Sequence, residues 1–459
     1  MNKGKVANII AFGTFMAVIL MMMAATVLER ISGSDMALKW VYHNPLFFAL
    51  WGVICLLGIC LLVSRETGKN PWTLLLHISF VLILAGALTT HLTGEDGSVR
   101  LPRGEEVSQW ERSDGTLSPL PRPMTLEEFQ IQYYPGSNAP SDYRSTILVQ
   151  GERQVISMNH IAKIDGYRFY QADYDDEASI LAVSHDPWGI GITYTAYILL
   201  LLSMVGFFFQ RNTIFRKSLK QVAQPSDRPF PRKLAKYSAC LAWLLFAGLT
   251  LTIGLKWSDG YSPFVGSFSV MMLMAWFSSL GMCLLWKRFP LILPLGFLLS
   301  GFTILVAFLS GAGPKDHLMP VLRSPLLSIH VLSMMLSYTL LGLIALNGII
   351  GLLVSKKMAV RLRNVGLVFL YPAVFVLIFG TFIGAVWANI SWGNYWAWDP
   401  KETWALVTFL VYSFALHGNL LKPFRNPRFF HAFCIIAFIC VLITYFGVNL
   451  ILGGVHAYN

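Results

Sequence analysis

Histidines and tryptophans are the residues of this 459-residue chain with the clearest chemical capacity. Imidazole ligates metals and titrates near neutral pH, and indole rings stack on flat ligands. Five tryptophans and one tyrosine crowd residues 387–404, between two long apolar runs. Such rings serve either as an aromatic belt at a membrane interface or as a platform, meaning a flat surface for a large planar ligand. Composition leaves both interpretations open.

A helix start is predicted inside this tryptophan-rich segment, 387–404. Asp399 is an N-cap residue, Pro400 suits the first helical position, and Glu402 follows three residues after the cap. This pattern favours a capping role for Asp399 over a role as a catalytic acid. The candidate platform comprises Trp392, Tyr395, Trp396, Trp398, Asp399 and Trp404.

The composition excludes an ordinary soluble protein, because 55% of the residues are hydrophobic and only 13% are charged. Apolar runs long enough to cross a bilayer as helices recur along the chain. The predicted fold class is an all-α polytopic membrane protein with about 11 transmembrane helices. The predicted spans are 7–28, 46–63, 72–90, 189–209, 237–255, 266–286, 290–310, 326–354, 366–387, 400–421 and 430–452.

The Lys and Arg residues of the short loops all fall on one side when these helices alternate across a membrane. The positive-inside rule makes that side the cytoplasm. We therefore predict a multi-pass protein of the bacterial cytoplasmic (inner) membrane with a cytoplasmic N-terminus. The C-terminus and the tryptophan-rich segment are then external, or periplasmic. Membrane lipid is an expected partner, and nucleic acid is not.

A polar insert, residues 91–188, separates the third predicted helix from the fourth. Within it, Ser145–Val149, Ile164–Gln171 and Ser179–Val183 resemble strands around turn residues. The insert is therefore predicted to be a small β-rich external domain.

A second break divides the chain into two halves. Residues 210–236 are basic and contain three prolines, which predicts a cytoplasmic linker. The linker separates an N-terminal half of four helices, 1–209, from a C-terminal half of seven, 237–459.

His77 and His417 lie inside predicted spans, where an ionisable side chain is costly and therefore a functional candidate. His77 lies roughly 9–10 Å from the helix start predicted at Asn70-Pro71. His417 lies near the inner end of the tenth span. Their similar depth favours a shared ligand, and a hydrogen bond to a neighbouring helix is the alternative for each. His431, at the start of the last span, is the main rival to His417.

His330 and His456 are predicted to lie on the face that carries the tryptophans. His330 comes one to two turns after the helix start at Ser324-Pro325, and His456 follows the last span. Neutral imidazole is a frequent axial ligand of haem iron, so this pair beside the platform suggests a haem held at the outer surface. A mobile tail is the alternative for His456. Weaker signals, at exposed or interfacial positions, come from His43, His91, His160, His185 and His317.

The tryptophan-rich segment resembles the signature of the haem-handling proteins of cytochrome c maturation. The resemblance is carried by Trp392-Gly-Asn-Tyr-Trp-Ala-Trp-Asp-Pro-Lys-Glu-Thr-Trp404, and residues 325–338 and 445–458 agree with it. It is most similar to the system II cytochrome c synthase of the CcsA/ResC type. The N-terminal half is similar to the partner subunit, the CcsB/ResB type, through His77 and residues 166–189. The chain therefore resembles a natural fusion of both subunits.

This resemblance implies a holocytochrome c synthase, a thioether-forming haem lyase with haem transport activity. Haem b would be both substrate and bound ligand, carried to the outer face and attached to the Cys-x-x-Cys-His motif of apocytochrome c. The resemblance implies His77 and His417 as intramembrane haem ligands and His330 and His456 as external ones. A thioredoxin-like, thiol-reducing protein is the further partner. The external insert is short for the family.

Two cations near the outer face, Arg323 and Lys401, are candidate contacts for haem propionates. Two other functions remain open. One is a quinone-linked haem b electron-transfer subunit, and the other is a transporter of another amphipathic substrate. Covalent attachment of haem to a co-expressed apocytochrome would separate the synthase from both.

Overall fold

The computed structural model describes residues 3–63, 70–222, 231–310 and 319–452. Helices dominate, and a β-sheet domain is inserted between the fourth and fifth of them. The α-helices are α1 (Lys3–Ser32), α2 (Ser34–Ala37), α3 (Pro45–Val63), α4 (Pro71–Thr93), α5 (Gly189–Phe209), α6 (Ile214–Val222), α7 (Arg232–Ser258), α8 (Ser267–Leu285), α9 (Ile292–Ser310), α10 (Pro325–Leu353), α11 (Lys356–Trp392), α12 (Pro400–Leu416) and α13 (Pro427–Leu442). π-Helical segments follow α2 (Leu38–Tyr42) and α13 (Ile443–Leu452), and short 3-10 turns cover Pro320–Leu322 and Lys422–Arg425.

Proline-led starts begin several of these helices. In α4, α10 and α12 the first residue is a proline that follows Asn70, Ser324 or Asp399. Proline suits this position because the N–H it lacks would have no intrahelical acceptor there. The three helix starts that the sequence predicts from these pairs are confirmed.

Ten helices among the described residues are long and apolar enough to cross a membrane. The predicted fold class is thereby confirmed. The tenth predicted span differs, because α12 ends at Leu416 and has 17 residues. It still reaches from one end of the bundle to the other. Near its start Lys401 Nζ donates to Asn449 Oδ1 at 2.9 Å, and at its end the His417 ring meets His77 in the second turn of α4.

α11 is longer than the predicted span 366–387. Its 37 residues extend about 55 Å, well beyond a hydrocarbon core of about 30 Å. Gly393 ends it in the left-handed conformation with φ of 86°. A Cβ at Gly393 would lie 2.8 Å from the Tyr170 ring of the sheet domain, so glycine serves here both the turn and a close approach.

The inserted domain is one antiparallel sheet of eight strands in the order β5-β4-β3-β2-β1-β8-β7-β6. The strands are β1 (Glu95–Pro102), β2 (Glu106–Arg112), β3 (Leu117–Tyr133), β4 (Pro140–Val149), β5 (Glu152–Ser157), β6 (Ala162–Ile164), β7 (Tyr167–Tyr174) and β8 (Ala178–His185). One face buries an apolar core that includes Leu101, Trp110, Met124, Ile147 and Phe169. The predicted β-rich insert and its three predicted strand regions are confirmed.

The sequence does not predict the 17-residue strand β3, because the strand contains Pro119, Pro121 and Pro123. Proline cannot donate to a ladder and is normally confined to strand edges. The register explains the exception. β4 pairs with β3 only from Met124 onward, so the proline-containing part of β3 has a neighbour, β2, on one side alone.

The two halves of the chain meet at the tryptophan-rich end. Asn389 of α11 is buried, and its Oδ1 accepts from Arg168 Nη1 of β7 at 2.8 Å and from the Tyr194 hydroxyl of α5 at 2.9 Å. Asn159 of the sheet domain accepts from Ser391 Oγ at 2.7 Å. These bonds fix the sheet domain against the end of α11.

The halves also meet at the other end, through part of the predicted linker 210–236. α6 lies inside that linker, and its Phe215 ring packs against Phe208 at 5.0 Å and against Tyr371 of α11 at 6.0 Å between centroids. The segment therefore includes a helix docked on the C-terminal half.

Candidate functional site

A cavity of about 1230 Å³, including the space at its mouth, opens at the tryptophan-rich end of the bundle. It lies among α8, α10, α11, the start of α12 and the π-helical segment that follows α13. Its wall is mainly apolar, and its polar or aromatic groups include His330, Trp387, Tyr395, Trp396, Lys401 and Asn449. A concave apolar wall with a few converging polar groups is typical of a small-molecule site. We call it the His330 cavity.

His330 is half-buried in the second turn of α10. Its Nδ1 donates to the backbone oxygen of Gly380 on α11, at 2.7 Å. A neutral imidazole that donates from Nδ1 carries its lone pair on Nε2, and this kind of bond orients the histidines that bind metals. A Cβ at Gly384, one turn further along α11, would lie 2.6 Å from His330 Nδ1. The lack of a side chain at Gly384 therefore leaves the space that the His330 ring occupies.

Three aromatic residues of the tryptophan-rich segment line this cavity: Trp387, Tyr395 and Trp396. The indole nitrogens of Trp387 and Trp396 are buried and have no hydrogen-bond acceptor in the described part of the chain. A buried donor without an acceptor costs about 1–3 kcal/mol. The Tyr395 hydroxyl lies 2.6 Å from Thr90 Oγ1 of α4. Burial raises the pKa of Tyr395, so this hydroxyl stays protonated.

Trp398 faces the N-terminal half. Its ring stacks on Tyr42 at 4.3 Å and 14°, and Phe47 of α3 meets it edge-on at 5.3 Å. Trp398 is a non-glycine residue in the left-handed region, with φ of 59°, a conformation that side chains rarely adopt. The turn before α12 is therefore held by tertiary packing of this ring.

Trp392 and Trp404 are also not among the residues that line the cavity. Trp392 packs edge-on against Trp387, with centroids 5.0 Å apart. Trp404 is buried and donates from Nε1 to Thr26 Oγ1 of α1 at 3.2 Å. Of the six predicted platform residues, the structure thus brings Tyr395 and Trp396 to the cavity wall.

Asp399 caps α12, as predicted. Its Oδ1 accepts from the backbone N–H of Lys401 at 2.8 Å. Glu402 accepts from the backbone N–H of Ala397 at 2.9 Å, two residues before the cap, and so braces the turn instead of closing a capping box on Asp399. This bracing fixes the direction in which Tyr395 and Trp396 leave the helix.

The two candidate propionate contacts lie in different places. Lys401 lines the cavity, where its Nζ donates to Asn449 Oδ1 at 2.9 Å. Arg323 lies with its guanidinium over the Tyr134 ring of the sheet domain, 5.5 Å from the centroid. His456 lies outside the described residues, which end at Leu452. Asn449 brings that last described turn to the cavity wall.

His77 and His417 meet at the opposite end of the bundle. Their ring centroids are 5.9 Å apart, with the planes at 78°. Each Nδ1 donates to the carbonyl four residues earlier on its own helix, Thr73 at 2.7 Å and Ser413 at 2.8 Å. Both neutral rings therefore carry the lone pair on Nε2. This places together the two side chains that the sequence pairs by depth.

His431 is placed differently from His417. It is fully buried, and its Nε2 donates to the Ala359 carbonyl at 2.9 Å. A Cβ at Gly351 of α10 would lie 2.4 Å from the ring, so the ring is enclosed by α10. These contacts give His431 a packing role.

Sequence reasoning missed Asn389 and the glycines Gly380 and Gly384. Asn389 lies in the tryptophan-rich segment, and its polar side chain inside an apolar run is the signal that could have found it. Gly380 and Gly384 are spaced four apart, so they share one face of α11. Their partner, His330, lies on another helix, which spacing alone does not reveal.

Two family models match separate parts of the chain. Residues 262–456 match the model of the family described as "Cytochrome C assembly protein", and residues 69–188 match the ResB-like family. The cytochrome c biogenesis protein CcsA of Guillardia theta is 31% identical over 254 residues, which cover 46% of this chain and 81% of that protein. The chain belongs to the cytochrome c assembly family.

Other relatives of this assembly family share the same region. Protein NrfI of Wolinella succinogenes is 35% identical over 230 residues, 48% of this chain and 26% of NrfI. CcsA of Chlamydomonas reinhardtii is 34% identical over 237 residues, 46% of this chain and 65% of that protein. The matches thus span about a quarter of NrfI and less than two thirds of this CcsA. With its ResB-like segment, the chain is a fusion of the CcsB and CcsA types of system II.

Proposed function

We propose that this assembly protein carries haem from the cytoplasmic side to the outer face and attaches it to apocytochrome c, as a holocytochrome c synthase. The observation that carries the proposal is the His330 cavity. One oriented imidazole, two tryptophans and one lysine line it. Haem b presents an iron, a flat macrocycle and two carboxylates, which match these features. Membership of the family supports the same substrate.

His330 supplies one axial ligand at this cavity, and we propose His456, which lies outside the described residues, as the other. Two nitrogen ligands leave no open iron position, which disfavours reaction with oxygen. Lys401, which lines the cavity, pairs with the propionates. The role of the chain here is to hold haem in one orientation.

Attachment then needs little acid–base chemistry. Each thiol of the Cys-x-x-Cys-His motif adds across one haem vinyl group. The sulfur bonds to one vinyl carbon and the thiol proton goes to the other, so no leaving group or oxidant is required. The histidine of the motif replaces one axial ligand of the chain. Positioning is the main contribution of the protein, and a thioredoxin-like partner keeps the thiols reduced.

The His77–His417 pair receives haem first. Support comes from its two Nε2 lone pairs and from its place between α4 of the N-terminal half and α12 of the C-terminal half. Lys422 and Arg425 follow α12 at this end. Basic residues at that end support a cytoplasmic position in a bacterial inner membrane, with the His330 cavity and the sheet domain outside.

The decisive experiment co-expresses the full chain with an apocytochrome c in a bacterial host that lacks its own maturation system. Haem staining of a denaturing gel reports covalent attachment. We expect stained cytochrome with the wild type and with His160→Ala, an exposed sheet-domain control, and none with His330→Ala.

The alternatives give different results. A purified wild type that binds haem but yields no stained cytochrome would favour the quinone-linked electron-transfer subunit. A wild type that binds no haem in any preparation would favour the transporter of another amphipathic substrate.

A further inference from the structure

Two histidines outside the sites above meet at the tryptophan-rich end of the N-terminal half. His43 follows the π-helical segment Leu38–Tyr42, and His91 lies in the last turn of α4. Their ring centroids are 5.5 Å apart, with the planes at 39°. This separation is close to the 5.9 Å of the His77–His417 pair. Both rings are exposed, and Phe48 of α3 packs beside His91 at 5.1 Å.

The donor set of this pair suits an iron porphyrin better than a bare metal ion. A structural zinc site takes four protein ligands. In the part of the chain that the structure describes, no group of three or more His, Cys, Asp or Glu could hold a metal ion. Haem brings four nitrogens of its own and needs two more.

Three large apolar side chains that are near the pair in sequence are exposed: Trp40 on the π-helical segment, and Leu88 and Leu92 on α4. Haem is a flat and mostly apolar molecule, so covering such side chains favours its binding.

The chain neighbours of both histidines contact the tryptophan-rich segment. Tyr42, next to His43, stacks on Trp398. Thr90, next to His91, lies 2.6 Å from the hydroxyl of Tyr395, which lines the His330 cavity. Each histidine of the pair is therefore one residue away from a contact with this segment.

α4 links this pair to the His77–His417 pair. His77, Phe80, Leu84, Ala87 and His91 are spaced three and four residues apart, which puts them on one stripe of the helix. The two histidines are about 21 Å apart along it. Phe80 in this stripe stacks on Phe409 of α12 at 5.4 Å. One face of a single helix thus carries an imidazole at each end.

We propose that His43 and His91 form a further haem site, at which haem pauses between the His77–His417 pair and the His330 cavity. The inference rests on the proposed function, since it requires that the chain handles haem. The proposed site is a third haem position in the protein. It adds His43 and His91 to the four histidine ligands that the resemblance implies.

The test begins with the full chain carrying His77→Ala, His330→Ala, His417→Ala and His456→Ala, purified and titrated with haem. We expect the absorption spectrum of low-spin, bis-imidazole haem. Adding His43→Ala and His91→Ala should weaken this binding by more than about 10-fold, because even the loss of a ligand's hydrogen-bond partner typically costs that much. Adding His160→Ala instead should leave it unchanged. No low-spin haem in the first variant, or no loss on removing His43 and His91, overturns the inference.

A second measurement avoids dependence on the multiple variant. His43→Gly with His91→Gly, in the otherwise unchanged chain, should lower the yield of covalent cytochrome while haem stays bound at the His77–His417 pair. Imidazole added to the medium should restore the yield. An unchanged yield contradicts the inference alone, whereas a wild type that binds no haem contradicts the proposed function itself.

Discussion

The His77–His417 pair and the His330 cavity hold their imidazoles in different ways. His77 and His417 each donate to a carbonyl one turn back on their own helix, whereas His330 donates across to Gly380 of α11. The rings of the pair therefore keep their orientation relative to α4 and α12 even if those helices move apart. The orientation of His330 depends on the packing of α10 against α11.

The elements that surround the two sites also differ. The His77–His417 pair joins one helix from each half of the chain, so relative motion of the halves changes the distance and angle between the two rings. The His330 cavity is walled by Trp387 and Trp396 and by a capped and braced helix start. The comparison suggests a pair that can release its ligand by helix movement and a cavity that holds it in one orientation.

The largest effect is expected from breaking the pair. His77→Ala and His417→Ala should each weaken haem binding at that end by more than about 10-fold, because iron loses an axial ligand and even the loss of a ligand's hydrogen-bond partner typically costs that much. The double variant should be little worse than either single one, since the two rings act as a unit. Haem titration followed by absorption spectroscopy measures both. Additive losses would mean that the two histidines do not share one ligand.

A steric change should affect the cavity and spare the pair. Gly384→Val places a branched Cβ where even one carbon would lie 2.6 Å from His330 Nδ1, an overpacking that costs about 1–3 kcal/mol. We expect loss of the low-spin signal that depends on His330 and an unchanged signal from His77 and His417. Gly248→Ala is the control, because its added Cβ meets nothing within 4 Å. Equal loss at both sites would show that they are not independent.

A smaller effect is expected from Lys401→Met, which removes a cation from the cavity wall and its bond to Asn449. Haem affinity at the cavity should fall about fivefold, equivalent to about 1 kcal/mol. Lys401→Arg keeps the charge and should lose less. Titration of haem into variants that lack the His77–His417 pair isolates the effect. An unchanged affinity would remove Lys401 from the proposed propionate contacts.

The smallest effect is expected from Tyr395→Phe. The ring remains on the cavity wall, and only the hydroxyl that meets Thr90 Oγ1 is lost. Thr90 keeps its bond to Asp186 Oδ2 at 2.6 Å, so the free energy of unfolding should fall by only about 1 kcal/mol. Thermal unfolding measures this change, and the haem spectrum should not alter. A changed spectrum would give the hydroxyl a direct role at the ligand.

Local patterns in the sequence predicted features whose cause is local. Asn70-Pro71, Ser324-Pro325 and Asp399-Pro400 predicted helix starts because capping needs neighbouring residues only. His77 and His417 were paired because they lie at similar depths in their predicted membrane spans. Position along a helix gives this depth directly, at about 1.5 Å per residue. The inserted sheet was likewise visible in its strand-like runs.

Features made by distant residues were not predicted. Trp398 was expected on the platform, yet it stacks on Tyr42, more than 350 residues earlier in the chain. His43 and His91 are far apart in sequence, and their rings come together only in the folded chain. No spacing rule covers such pairs, because their separation is set by the tertiary fold.

The contact of α6 with α11 has a consequence for the fusion of the two subunit types. A tether turns the meeting of the halves into an intramolecular event, with an effective concentration in the millimolar range for a short linker. A chain cut between Val222 and Pro231 would keep α6 on the N-terminal fragment. That fragment would then retain the Phe215 ring that packs on Tyr371 of the C-terminal fragment. The two fragments would then assemble by mass action, and their activity would depend on how many copies of each the cell makes.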